Sequence, residues 1–304
     1  MSETDLNGVI PIVYSTFTDN GEIDYESLRR QVRTLLDDGC HGLALFGLAS
    51  EHYKLTDGER EAMTDIVVDL CEEARTPSVV SVTHHATEVA IERARAAERA
   101  GADYLMLLPP FILGPSEDQV YEHAKRVANA VSTPIVFQYA PDHTGVTMPS
   151  ERLVELYEET ETVTHFKIEN APSGPYVTEL LNETGGECSI LIGQAGYQLI
   201  EAYDRGAVGV LPGAGYYDVY LEIERRYRND DRAGAVELHN DLLALLNHTT
   251  QNLEMAIAYG KRALRRRGII DSAYCRSPSF EPDQLHDDLF DEHYVALEMY
   301  GGDT

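Results

Sequence analysis

The chain has 304 residues, 43% of them hydrophobic, and no Pro/Gly/Ser-rich linker or low-complexity stretch divides it, so it reads as one large domain with a C-terminal extension. Its formal net charge of −28 is spread along the whole sequence, which argues against nucleic acid or an anionic membrane as a partner. Arginine outnumbers lysine twenty to four, and a distributed acidic, lysine-poor surface suits a halophilic host, because concentrated salt screens the self-repulsion.

The first residues, Met1-Ser2-Glu3-Thr4-Asp5, lack a basic region followed by an apolar one, and no window approaches a membrane-spanning run, so the expected location is the cytoplasm. A first apolar, β-like run follows at Val9 to Ser15. After a helical pattern from Tyr25 to Leu36 comes a second run, Gly42 to Phe46, which leads into Gly47-Leu48-Ala49-Ser50-Glu51. The helical pattern of Asp57 to Ala74 precedes a third run, Ser78 to Thr83, followed by His84-His85. Glu88 to Ala100 precedes a fourth, Tyr104 to Leu108, followed by Pro109-Pro110-Phe111. Glu117 to Val131 precedes a fifth, Ile135 to Tyr139, followed by Ala140-Pro141-Asp142-His143-Thr144-Gly145. Ser150 to Glu159 precedes a sixth, Val163 to Lys167, which leads into Ile168-Glu169. A seventh run, Ile190 to Gly193, ends at Gln194-Ala195, and an eighth, Val208 to Leu211, ends at Pro212-Gly213-Ala214-Gly215.

Several of these helical patterns open on a Ser, Thr or Asp in an N-cap position. Regular alternation of eight strands with helices predicts parallel crossovers, and the spacing fits a closed (β/α)₈ TIM barrel over residues 1–220 better than an open sheet. The remaining helical patterns are Tyr220 to Arg228, Ala233 to Leu246, Leu253 to Arg267 and Asp283 to Met299. They exceed what one barrel helix needs and predict a helical extension, residues 221–304, packed on the barrel as a single structural unit. Within it, the cluster from Lys261 to Arg267 reads as cations complementing a helix C-terminus. Cys40, Cys71, Cys188 and Cys275 form no C-x-x-C pair and read as buried small apolar residues, and no His or carboxylate spacing predicts a metal.

Catalytic groups in such barrels sit at the C-terminal ends of strands. Lys167, one of four lysines, ends the sixth run. An amine desolvated by an apolar strand is a candidate imine-forming nucleophile, since burial disfavours the ammonium form and frees the lone pair. Small residues and turn amides around it suit a 2-keto acid, whose carboxylate needs N–H donors and whose carbonyl needs the amine.

From about residue 7 to residue 300 the chain resembles the class I Schiff-base lyases of the dihydrodipicolinate synthase and N-acetylneuraminate lyase family. Gly47 to Glu51 lies where that family has its G-T-T-G-E or G-S-T-G-E carboxylate loop. Pro141 to Gly145 matches P-x-x-T-G, Lys167 matches the Schiff-base lysine, and the run from Gly209 matches G-V-x-x-G. The resemblance implies a barrel, a pyruvate-type imine at Lys167 with no other cofactor, and a homotetramer.

Three departures stand beside the likeness. Gln138 replaces the proton-relay tyrosine at the end of the fifth strand, Leu48 and Ala49 replace paired hydroxyl residues, and Ile112 replaces a second tyrosine. An amide neither takes nor gives a proton near neutral pH, so dihydrodipicolinate synthesis is disfavoured. Ser50-Glu51, Gln138-Tyr139-Ala140-Pro141 and Lys167-Ile168-Glu169 resemble instead the family's 2-keto-3-deoxy-L-arabonate dehydratase branch. The expected activity is therefore dehydration of a 2-keto-3-deoxy sugar acid to a semialdehyde. An aldolase releasing pyruvate and a catalytically impaired keto-acid-binding protein are the alternatives.

The expected catalytic set is Lys167, Gln138 and Glu169; Glu169, two residues on, shares a strand face with Lys167 if the strand continues. Ala49, Ser50, Glu51, His85, His143, Gly193 and Leu211 form the expected substrate-binding set. Glu51, His85 and His143 are also candidate acids or bases, whereas strand alternation points Tyr139 away from the face of Gln138.

Overall fold

Parallel strands covered by helices bury both faces, and the runs read from the sequence are mostly apolar and do not alternate strictly. The computed structural model describes residues 5–298, which form eight strands and twelve helices. They divide into two compact units. One holds the residues up to Asn7 with Pro77–Leu211, the other Gly8–Thr76 with the residues from Pro212 onward.

The second unit opens with β1 (Gly8–Val9), α1 (Tyr25–Asp37), β2 (Leu43–Leu45) and α2 (Asp57–Ala74). Asp24 caps α1 by accepting from the Ser27 N–H, and Thr56 and Glu59 form a reciprocal capping box on α2. The first predicted run, Val9 to Ser15, is longer than the ladder that forms. The Gln31 side chain takes over the backbone of Tyr14, accepting from its N–H at 2.9 Å and donating to its carbonyl at 3.0 Å.

The first unit contains β3 (Ser78–Ser81), α3 (Thr87–Arg99), β4 (Tyr104–Leu107), α4 (Glu117–Ala128), β5 (Ile135–Tyr139), α5 (Pro141–Thr144), α6 (Ser150–Glu159), β6 (Val163–Ile168), α7 (Ser173–Glu183), β7 (Ser189–Ile192), α8 (Leu199–Arg205) and β8 (Gly209–Val210). Helices α7 and α8 fill the two intervals for which no helical pattern stands out in the sequence. Strands β3 to β8 pair in parallel, each with the next. Every residue of β3, β4 and β5 is buried. Between β5 and β6 the register jumps: Ile135 faces Val163, but Val136 faces His165, so Thr164 is an extra residue and Gln138 lies opposite Lys167.

The second unit resumes with α9 (Tyr217–Arg228), α10 (Arg232–Thr249), α11 (Leu253–Arg266) and α12 (Gln284–Glu298). Met299, the expected end of the last helix, lies outside the described residues. The strand order is β1-β8-β7-β6-β5-β4-β3-β2, and Ile12 bridges in parallel both to Ala44, beside β2, and to Gly213, beyond β8. The fold is a (β/α)₈ barrel with a C-terminal helical extension. Among the described residues no helix is long and apolar enough to cross a membrane. Cys40, Cys71 and Cys188 are buried as expected, while Cys275 is only half-buried, and all four are free thiols.

On the surface, arginines gather carboxylates in groups: Arg152 contacts Glu117, Asp118 and Glu155, and Glu222 contacts both Arg225 and Arg226. Even with every lysine and arginine paired one to one, the net charge of −28 leaves 28 carboxylates without a basic partner. If that surplus is an adaptation to salt, the melting temperature should climb as potassium chloride rises from roughly 0.1 M to roughly 3 M, because screening relieves repulsion that is stronger in the compact folded state than in the expanded unfolded chain. A flat or falling series would remove the halophile reading.

Candidate active site

Strand character does not stop at Lys167. Ile168 continues β6, and the Glu169 N–H donates to the Tyr139 carbonyl at 2.8 Å, extending the pairing with β5 by one more residue. Alternate residues share a face, so the two side chains meet, with Lys167 Nζ 3.1 Å from Glu169 Oε1. Lys167 is 2% and Glu169 5% exposed. The register jump at Thr164 brings the Gln138 amide to the same place, where Nε2 donates to Glu169 Oε2 at 2.5 Å. The Gln194 N–H adds a bond to Oε1 at 3.0 Å. Burial opposes ionisation of Glu169, but the Lys167 ammonium, the Gln138 amide and the Gln194 N–H outweigh it and hold the carboxyl below the usual glutamate range.

Gly193 directly follows β7, and its N–H donates to the Ile168 carbonyl at 3.1 Å. A Cβ built at this position would overlap Oε1 and Cγ of Glu169. In this structure Gly193 makes room for the carboxylate. Beyond it the backbone enters the left-handed region twice in succession, at Gln194 (φ 48°) and Ala195 (φ 51°), a conformation costing on the order of 1 kcal/mol or more for each residue. This turn aims the Gln194 N–H at Glu169, and the Gln194 side chain donates to Asp142 Oδ2 at 3.1 Å. Sequence reasoning missed Gln194, because its contribution is a backbone N–H and no residue type signals that.

The histidines behave differently from this cluster. His85 is exposed in the loop after β3, with its ring 4.8 Å from that of Phe111, and its Nδ1 accepts from the Phe111 N–H at 3.3 Å. Partial desolvation of the ring and the neighbouring His84 lower its pKa. His143 lies on α5 and is exposed, and its ring makes no hydrogen bond among the described residues. Leu211 is buried just past β8, its N–H donating to the Ile192 carbonyl at 2.8 Å. Tyr139 stacks on Tyr176 at 4.8 Å and accepts the Met148 N–H, in line with its outward strand position. Ile112 is 67% exposed.

In the other unit, Leu48–Ser50 form a 3₁₀ turn after β2. The Ser50 hydroxyl donates to the Val13 carbonyl at 2.6 Å and so is spent within the fold, while Ala49 is half-buried. Glu51, read from sequence as a group at the mouth, is 0% exposed and paired with both Lys54 and Lys261. Lys261 is likewise fully buried in α11, whereas Arg265 and Arg266 do occupy the last turn of that helix. The terminal-cation reading therefore holds for the arginines and fails for Lys261. No group of three or more His, Cys, Asp or Glu among the described residues could hold a metal.

Lys167 and Glu169 thus form a buried amine and carboxylate within proton-transfer reach, steadied by one amide and one backbone N–H. Such a pair can move a proton off an ammonium, let the amine attack a carbonyl, and carry protons to and from carbons next to the resulting imine.

The profile of the Dihydrodipicolinate synthetase family matches residues 5–292. The chain is 32% identical over 289 residues to an L-2-keto-3-deoxyarabonate dehydratase of Azospirillum brasilense, an alignment covering 92% of this chain and 90% of that one. It is 29% identical over 243 residues to a 4-hydroxy-tetrahydrodipicolinate synthase of Methanopyrus kandleri, covering 79% of this chain and 80% of the relative. Among solved structures, the dihydrodipicolinate synthase of Rhodopseudomonas palustris superposes with a TM-score of 0.88 at 24% identity, covering 95% of this chain and 97% of that one.

Proposed function

Because the chain belongs to the dihydrodipicolinate synthetase family, we propose that it is a Schiff-base lyase that dehydrates a 2-keto-3-deoxy sugar acid through an imine at Lys167. The observation that carries this reading is the Glu169 carboxylate held 3.1 Å from the Lys167 amine, with the Gln138 amide beside it in the place of a phenol. Similarity to the Azospirillum brasilense dehydratase over nearly the whole chain supports it.

In the proposed reaction Glu169 takes the proton that Lys167 must lose, and the amine adds to the C2 carbonyl. Glu169 returns that proton to the hydroxyl of the adduct, which leaves as water and gives an iminium that acidifies C3, with Glu169 again a carboxylate. Glu169 removes a C3 proton to give the enamine and returns it to the departing C4 hydroxyl, so one water leaves across C3 and C4. Tautomerisation and hydrolysis of the imine free the amine and release the semialdehyde. Carbon–carbon cleavage would instead require a base on the C4 hydroxyl, and Gln138 cannot be one. The substrate carboxylate is assigned to the turn Gly47–Glu51 through the Ala49 N–H, with Ser50 shaping the turn and His85, His143, Gly193 and Leu211 in the substrate-binding set. The proposal takes a small 2-keto acid as the partner, the covalent imine as the only cofactor chemistry, and a cytoplasmic homotetramer as the working form.

Product analysis tests it. A panel of 2-keto-3-deoxy acids, assayed in high salt, should yield mainly semialdehyde; abundant pyruvate from the same substrate would favour the aldolase. Gln138→Tyr should raise the ratio of pyruvate to semialdehyde, since a phenol there supplies the missing proton acceptor. A product ratio unmoved by that substitution would separate Gln138 from the choice of reaction.

A further inference from the structure

We propose that Lys261 is a positioning residue: from α11 it fixes the turn Gly47–Glu51 through the Glu51 carboxylate and thereby sets the affinity for the 2-keto acid. The proposal rests on the assignment of the substrate carboxylate to that turn.

The turn is bounded by two left-handed residues that are not glycine, Phe46 at φ 61° and Glu51 at φ 53°, each costing on the order of 1 kcal/mol or more. A conformation of that kind persists only where its surroundings impose it. Inside the turn the Ser50 N–H bonds the Gly47 carbonyl at 2.9 Å and the Glu51 N–H bonds the Leu48 carbonyl at 3.2 Å, while Ser15 donates to the Ser50 carbonyl at 2.5 Å. These bonds hold its middle. The Glu51 end is held by charge.

Glu51 and Lys261 are each 0% exposed and ion-paired through Oε1, and Oε2 of Glu51 lies 3.0 Å from Lys54 Nζ. Lys54 in turn meets Glu254 at 2.7 Å, so charge alternates along Lys261, Glu51, Lys54 and Glu254. Lys54 lies three residues along the same loop as Glu51 and moves with it. Lys261 does not. Its Nζ also donates to the Tyr274 carbonyl at 2.9 Å and sits 4.5 Å above the Phe17 ring. Its backbone is locked in place, because a Cβ at Gly260 would overlap the Tyr14 hydroxyl and one at Gly215 would come within 2.6 Å of the Gly260 Cα. Lys261 is the fixed post to which the end of the turn is tied.

A buried ion pair adds little net stability over apolar side chains of the same shape, because desolvating both charges offsets their attraction. What matched apolar or amide side chains do not reproduce is the short, directed bond that fixes where Glu51 sits. Stability and affinity should therefore separate on mutation.

Lys261→Met and the double variant Glu51→Gln with Lys261→Met test this, read by melting temperature, by KM and kcat on a 2-keto-3-deoxy acid, and by the pyruvate concentration that half-saturates borohydride trapping at Lys167. Lys261→Met alone should melt lower, since it strips a buried carboxylate of one partner. The double variant should recover the wild-type melting temperature, yet keep KM and the half-saturating pyruvate raised by about tenfold or more, with kcat changed by less than about threefold. Recovery of affinity together with stability, a fall in kcat at unchanged KM, or a double variant that does not fold would each overturn the positioning role. Absence of any adduct in the wild type would sink the imine reading and this proposal with it, whereas a wild-type adduct with unchanged half-saturation in the variants would sink the positioning role alone.

Discussion

Pyruvate with borohydride will inactivate the protein irreversibly and leave one reduced adduct, on Lys167, while Lys167→Arg will form no adduct and lose turnover by at least about 10³-fold. A guanidinium stays protonated and cannot add to a carbonyl, so arginine keeps the charge beside Glu169 and removes only the nucleophile. The remaining three lysines are poor competitors for distinct reasons. Lys261 is fully buried against Glu51, Lys54 is held between Glu51 and Glu254, and Lys125 pairs with Glu159 on the surface. Peptide mapping of the reduced protein decides the matter: a label on any of them, or no label when binding of pyruvate is independently seen, would remove Lys167 from the reaction.

Gly193→Ala is expected to lower kcat by about 10²-fold to 10³-fold, approaching the loss in Glu169→Gln, although residue 193 gains nothing but a methyl group. The methyl would occupy the space of the Glu169 carboxylate and force it away from Lys167, Gln138 and the Gln194 N–H. Its pH signature should differ from that of a general packing defect. In the wild type those partners hold the Glu169 carboxyl below the ordinary glutamate value of 4.5, so activity that needs the carboxylate persists to a pH below that value and is lost as pH falls through the depressed pKa. With the partners lost, the acid limb of kcat/KM in Gly193→Ala should move upward. Wild-type kcat and an unmoved limb would show that the carboxylate has no part in proton transfer.

Fold and site were legible to different depths. The parallel strands could be read because their buried faces leave short, mostly apolar runs, and Lys167 could be read because a lysine ends one of them. Glu169 followed from strand parity alone. Gln138 was legible as a departure from a tyrosine, but its bond to Glu169 depends on register, which a single sequence does not fix. The burial of Glu51 was not legible, because its partner Lys261 lies 210 residues away, and nothing local marks a pairing over that distance. Lys261 did leave a trace: Ile257, Gly260, Lys261 and Leu264 are all buried, at helical spacing, so a lysine stood on the apolar stripe of α11. The run of basic residues that follows it drew the reading toward a helix C-terminus.

Thr164 gives the barrel an unexpected economy of means. Were it instead paired with Val136, the register begun at Ile135 and Val163 would continue unbroken and set Lys167 opposite Tyr139 in place of Gln138. A phenol would then neighbour the amine, and the amide would shift to the opposite face. The residues needed for two chemistries thus already stand side by side on one strand. Whether Thr164 is paired or left out of the ladder, with no change to either of them, selects which one lies opposite Lys167.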